Sequence, residues 1–340
     1  MSAIIPPTPG STAAVPAGPP AAARVPAAPA ASSASPTPPS PQAQAVATAL
    51  PVLAARQGGL APLMAELSQA LAQGALPDQA RGAAEALLAM RLSADSGPTA
   101  ADIEQAFDQS GLFTETFAAD GEPPPNLDST LADLGQTLEA WLAAEPAGED
   151  SAPAPSQTAP PPPYRDAPTA GQPPALPTLP PDASAALLAR RLLQQTGAAR
   201  ARQSLLQIAS LPDTADGPSW LFEIPFLTPQ GTAIAQIQLK GDQNSRRRRS
   251  PSAPPPIWRA ILSLELESIG PIHAQIAMAP DRTSVTLWAE RASSAQDLRQ
   301  DQRQLASSLS GAGVPADIAV HHGAPARAPP APGRFLDQAT

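Results

Sequence analysis

Between Ile257 and Glu290 the chain reads IWRAILSLELESIGPIHAQIAMAPDRTSVTLWAE, and no other stretch restricts the fold so tightly. Trp258, Ala260, Leu262, Leu264 and Leu266 fall on alternate positions, with Arg259, Ser263, Glu265 and Glu267 in the gaps. A period of two sends the first set to one face of a strand and the second to the other. Ser268-Ile269-Gly270-Pro271 breaks the run, and Ile272, Ala274, Ile276 and Met278 begin a second alternation. After Ala279-Pro280-Asp281-Arg282 a third places Val285, Leu287 and Ala289 on one side. Three such strands predict an antiparallel meander whose greasy face needs a cover.

Composition limits how much of the remainder can join a core. Of 340 residues, 47 are proline, which fixes φ and removes a backbone donor, so proline-dense regions cannot build helices or ladders. Aromatic residues are 3% and charged residues 15%. One lysine, Lys240, stands against twenty arginines, the signature of nucleotide bias, so the Ala, Pro and Arg excess carries little functional weight. There is no cysteine, which excludes disulfides and thiolate metal sites. A net charge of −9 argues against a nucleic-acid partner. No apolar run approaches the roughly 18–20 residues of a membrane span, and Ile4-Ile5 followed by prolines makes no secretory signal.

Taken in order, residues 1–42 are Ala, Pro, Ser, Thr and Gly with a single charge, Arg24, and predict a disordered segment. Residues 43–145 predict a helical region. Leu60, Leu63, Met64, Leu67 and Leu71 form an amphipathic stripe, Asp78 is placed to cap the next helix, and Thr99-Ala-Ala-Asp102 is shaped like a capping box. Leu131, Leu134, Leu138 and Trp141 mark another helix. Residues 146–181, with thirteen prolines, read as a linker. A compact domain is expected over 182–323, opening with a long helix at 183–210 whose basic side carries Arg190, Arg191, Arg200 and Arg202. A hairpin follows at 220–239, with Pro225 arguing for an edge strand. Arg246–Arg249 lie in a polar loop. Beyond the meander, a helix with Ser294 as its cap presents Leu298, Leu305 and Leu309 to the sheet, and Ile318 and Val320 form a last strand. Residues 324–340 read as a disordered tail. The expected class is α+β: antiparallel strands covered by a helix, preceded by short helices and Pro/Ala-rich linkers.

Catalytic chemistry is not legible. His321 and His322 are adjacent and point to opposite faces of a strand, and His273 falls on the face expected to meet solvent. Gly311-Ala-Gly313 follows a helix instead of opening one, so it marks a helix end and no phosphate loop. There is no G-x-S-x-G elbow. No enzyme, metal or cofactor is expected.

On these residues the C-terminal half resembles the flagellar hook-length control protein family. The resemblance is carried by WRAILSLELESIGPIHAQIAM, by VTLWAERASSAQDLRQDQRQLASSLSGAGV and by the IAV that follows, with SWLFEIPFLTPQG as an upstream strand. ADIEQAFDQSGLF at 101–113 is similar to helical segments of the family's N-terminal halves. The family's turn reads Pro-x-x-Leu-Gly; here it is Leu266-Glu-Ser-Ile269-Gly270, which keeps the glycine without the proline. The resemblance implies a monomer that waits in the cytoplasm and leaves through the flagellar type III export channel. It implies a poorly structured N-terminal ruler and a C-terminal domain that switches the export gate from hook to filament subunits. Partners would be the cytoplasmic part of that gate and the hook and hook-cap subunits. An extended chain spans about 3.3–3.6 Å per residue, so the roughly 210 residues ahead of the sheet would reach some 700 Å. The candidate contact for the gate is the turn Ile269-Gly270-Pro271 with His273 and Gln275. The competing reading is a Pro-rich cytoplasmic scaffold that is never exported.

Overall fold

The computed structural model describes residues 41–95, 97–112, 124–144, 159–180, 182–212, 217–242 and 257–326. The chain divides into Met1–Ser40 and Pro41–Thr340, and every described residue belongs to the second unit. The expectations for 1–40, for Arg246–Arg249 and for the tail beyond 326 lie outside the described residues.

The first half of the unit is helical. α1 (Pro41–Arg56), α2 (Leu60–Ala72), α3 (Asp78–Ala89), α4 (Ala100–Asp108) and α5 (Leu127–Ala144) precede the long α6 (Ala185–Ala209). The stripe of α2 is buried at Leu60, Leu63, Met64 and Leu67, and meets Leu131, Leu134 and Leu138 of α5 and Leu188 and Leu192 of α6 in one core. The capping box of α4 forms as expected: Thr99 Oγ1 accepts from Asp102 N at 3.2 Å, and Asp102 Oδ2 accepts from Thr99 N at 2.8 Å. Hydrogen bonds from the Thr99 side chain and backbone hold the Asp102 carboxyl below its usual range. Asp78 does not cap α3. Pro77 holds the N-cap, and Asp78 sits in the first turn facing Arg81.

The strands form one seven-stranded sheet in chain order. They are β1 (Leu92–Ser93), β2 (Ser219–Thr228), β3 (Gly231–Asp242), β4 (Ile257–Leu266), β5 (Gly270–Ala279), β6 (Arg282–Ala289) and β7 (Ala316–His322). β2 to β6 are antiparallel neighbours, so the hairpin and meander read from the alternation are present. β1 lies parallel to β2 and touches only its end at Phe226 and Leu227, so Pro225, one residue earlier, pairs on the β3 side alone. β7 is parallel to β6, reached through α7 (Ala292–Gly311), which packs on β6 and β7. Seven helices and a mostly antiparallel sheet make the described residues α+β.

One expectation about packing is corrected. The covering helix α7 lies over β6 and β7, and does not cover the start of β4: Trp258 is 39% exposed and stacks on Trp220 at 5.9 Å instead. The apolar face of β2–β4 is covered from the other side of the chain, where Ala106, Phe107 and Leu112 pack against Phe222, Ile224 and Phe226 together with Leu262 and Leu264. The basic side of the long helix is divided, with Arg200 exposed and two of its arginines enclosed. Arg191 and Arg202 are each only 2% exposed, because α6 is enclosed by the bundle, by β2 and by the segment 159–180.

That segment is the second half of the expected linker; residues 146–158 are not among those described. Residues 159–180 run as a strap across the sheet. β4 stops pairing with β3 after Ser263, which leaves Ile234 without a neighbour on that side. Gln172 takes the position, exchanging both backbone bonds with Ile234 at 2.8 and 2.9 Å. A single bridge needs no run of donors, so a proline-rich segment can supply it. The strap also satisfies polar groups on the face of the sheet: Thr169 bonds Ser263 at 2.7 Å, Ala170 N donates to Gln236 at 2.9 Å, and Gln172 donates to Glu223 at 3.0 Å. On its other side it is held by Glu66 and Arg191, which meet at Thr178.

Gly171 is where the strap comes closest. A Cβ there would lie 2.7 Å from Glu265 N and 2.8 Å from Leu264 Cα, both backbone atoms of β4. Gly171→Ala is therefore expected to lift the strap and cost about 1–3 kcal/mol, the range for a forced overpacking. Urea denaturation measures it, and a loss below about 0.5 kcal/mol, the range of a neutral surface change, would show that the strap does not bear on β4.

Candidate functional site

The turn between β4 and β5 is fixed by residues far along the chain. Gly270 adopts φ +73°, a conformation that glycine takes without penalty. It closes a three-residue turn, Glu267-Ser268-Ile269, with Leu266 paired to Gly270. Arg291 reaches back from the start of α7 and donates to Glu267 O at 2.7 Å and Ser268 O at 3.0 Å. Ser294 Oγ donates to Ile269 O at 2.7 Å. Three consecutive turn carbonyls are thus taken by two side chains of one helix end. A Cβ on Gly270 would sit 2.7 Å from Arg291 Nε, so the glycine also leaves room for this clamp. Ser294 was expected to cap the helix; Arg291 occupies the N-cap without a side-chain bond, and the Ser294 hydroxyl serves the turn.

With its carbonyls occupied, the turn presents the side chains at its tip to a partner. Glu267 and Ser268 are exposed, as are Glu290 and Arg291 beside them. Ile269, Pro271 and Gln275 are half-buried and Gly270 is buried. His273, expected on a free polar face, is drawn inside: its side chain is 12% exposed. Nδ1 lies 2.7 Å from Ser263 Oγ and Nε2 lies 3.2 Å from Glu290 Oε1. Ser263 in turn meets Thr169 of the strap at 2.7 Å.

The line Thr169–Ser263–His273–Glu290 was missed by the sequence reading, although half of it was available there. Once Gly270 closes the hairpin against Leu266, the register sets Ser263 directly opposite His273. Thr169 had no local signal, since nothing in a proline-rich run says which strand it will cross. The sequence of hydroxyl, imidazole and carboxylate has the chemistry of a proton relay. Its hydroxyl, however, is 1% exposed under the strap and shared between two hydrogen bonds. In this arrangement the line ties the strap to the sheet.

Among the described residues no group of three or more His, Cys, Asp or Glu side chains is gathered to hold a metal. No helix among them is long and apolar enough to cross a membrane.

Residues 246–329 match the family model of the flagellar hook-length control protein FliK. The match spans β4, β5, β6, α7 and β7, and so contains the clamped turn; the bundle, the strap and β1–β3 lie outside it. No curated protein and no solved structure matches the chain. The family is one of hook-length control proteins and not of enzymes. Residues 246–329, about a quarter of the chain, are thus similar to the flagellar hook-length control protein family.

Proposed function

We propose that this chain sets hook length as a ruler exported by the flagellar type III apparatus, and that its C-terminal domain switches the export gate from hook to filament subunits. The observation that carries the reading is the position of the family match: it begins just ahead of β4 and takes in the clamped β4–β5 turn. Rigid exposed turns are a common place for partner contacts. The surface offered to the cytoplasmic part of the gate is then Glu267 and Ser268 at the tip, with Ile269, Gly270 and Pro271 as their frame and Gln275 beside them. His273 supports that surface from beneath.

A measuring role asks that the helices ahead of the sheet be drawn out during export. Isolated short helices are marginal, so once separated from the sheet they resist extension little. The resistance lies in their packing on α6 and the sheet, which has to be undone first.

Deleting the chain in its own host should give overlong hooks without filaments, and the protein should appear in the culture supernatant only while the flagellar export system works. Glu267→Lys with Ser268→Lys should reproduce the overlong hooks while circular dichroism and export stay unchanged. Normal hooks in the deletion strain would end the reading. Normal filaments in the double variant would move the gate contact away from the turn.

A further inference from the structure

We propose that the cleft between the α1–α2 connection, α6 and the strap binds an extended, acidic segment of a partner protein. The cleft has a volume of about 1250 Å³, with walls drawn from 55–62, 159–176 and 190–198 and with Glu139 of α5. All of these lie outside residues 246–329, so the surface is separate from the clamped turn. Its volume exceeds the roughly 300–1,000 Å³ of small-molecule pockets, which suits a length of polypeptide.

Charge and hydrogen bonding select the occupant. Arg56, Arg190 and Arg191 line the cleft against one carboxylate among the described residues, Glu139, in a chain whose net charge is −9. Guanidinium groups pair well with carboxylates, and Arg56 is exposed. Three buried glutamines belong to the wall, and two of them are engaged within the protein. Gln57 accepts from Arg202 at 2.9 Å and donates to Pro160 O. Gln172 donates to Glu223 at 3.0 Å and accepts from Ala61 N at 3.4 Å. Gln195, 8% exposed, differs: both polar atoms of its amide are buried, and neither has a hydrogen bond among the described residues. An idle buried amide is a cost that a ligand can remove. Its donor and acceptor match the C=O and N–H of one peptide group. Only an extended segment leaves those free, since a helix uses its own. Pro160, Pro161, Pro173 and Pro174 add apolar wall without an amide donor to compete.

The probe is a fluorescein-labelled ten-residue peptide of alternating Val and Glu, titrated with the full chain and followed by anisotropy. Saturable binding with a Kd of about 10–100 μM is expected, and a Val-Gln peptide should bind about tenfold more weakly or worse. Arg56→Glu should also weaken the acidic peptide by about tenfold. Gln195→Leu is the sharper variant. It should weaken binding while the urea midpoint of the free protein stays or rises, because an unsatisfied buried group is gone. No saturable binding, equal binding of the two peptides, or a Gln195→Leu chain that binds normally or unfolds at lower urea would overturn the proposal. Poly(U) that binds the cleft more tightly than the acidic peptide would assign it to RNA instead. Residues 145–158 carry Glu145, Glu149 and Asp150. Peptide binding that appears only after Glu145→Gln, Glu149→Gln and Asp150→Asn would give the cleft to the chain itself and overturn the proposal as well.

Discussion

Arg202→Ala is expected to destabilise the folded unit by about 3–5 kcal/mol, the cost of leaving a buried partner charge uncompensated. Arg202 and Glu223 are 2% and 3% exposed, and their charged atoms lie 2.7 Å apart. The guanidinium also donates to Gln57 Oε1 at 2.9 Å and to Pro161 O at 3.0 Å, while Gln172 donates to Glu223. One cation thus joins the end of α1, the strap, α6 and β2. Truncation leaves the Glu223 carboxylate in a dry interior with only an amide to bond it. Arg202→Met with Glu223→Leu removes both charges at similar volume and should cost far less, since well-packed apolar replacements of buried pairs are often neutral. Urea denaturation of the three proteins measures the difference. A double variant no better than Arg202→Ala would mean that packing, and not the stranded charge, carries the loss.

The second large effect separates two aromatic residues that alternation alone makes equivalent. Phe222→Ala should cost about 3–5 kcal/mol, the range for a buried large aromatic. Phe222 is 2% exposed, meets Phe107 edge-on at 4.9 Å, and sits in the core with Ile224, Phe226 and Ile237. Trp258→Ala, expected from the sequence to cost as much, should lose clearly less, because Trp258 is 39% exposed at the end of β4 and its main partner is the Trp220 ring. Equal losses at both positions would contradict the packing seen here.

These two residues show what the sequence could and could not convey. The strands of the meander, the hairpin, the α2 stripe and the Thr99 box were legible because each is a local rule: period two, period 3.6, or a cap three residues from its partner. Which face of a strand is covered is not local. Ser263, Gln236 and Glu223 alternate with apolar residues as solvent-facing groups do, yet they are buried beneath a strap that a proline count assigns to linker. Proline forbids ladders, but a segment that makes one bridge and offers one carbonyl to Arg202 needs none. The burial of Arg191 and Arg202 was not readable either, since nothing near them in sequence announces Thr178 or Glu223 as partners. At the candidate site the glycine turn was readable, and so was the pairing of Ser263 with His273 once the register was set. The clamp by Arg291 and Ser294 was not, because it joins residues 23 to 25 positions apart across a helix start.

The bundle, the strap and the sheet form one body in this structure, and hydrogen exchange along the full chain asks whether they open as one. Core amides of a single cooperative unit exchange through the same global opening, whereas separate domains open independently. The slowest amides of α2, α5 and α6 should share one opening free energy with those of β2 to β5, and the two groups should fall together in mild denaturant. Sheet amides that stay protected while the bundle exchanges through its own smaller opening would contradict this, and would return residues 159–180 to the role of a linker between two domains.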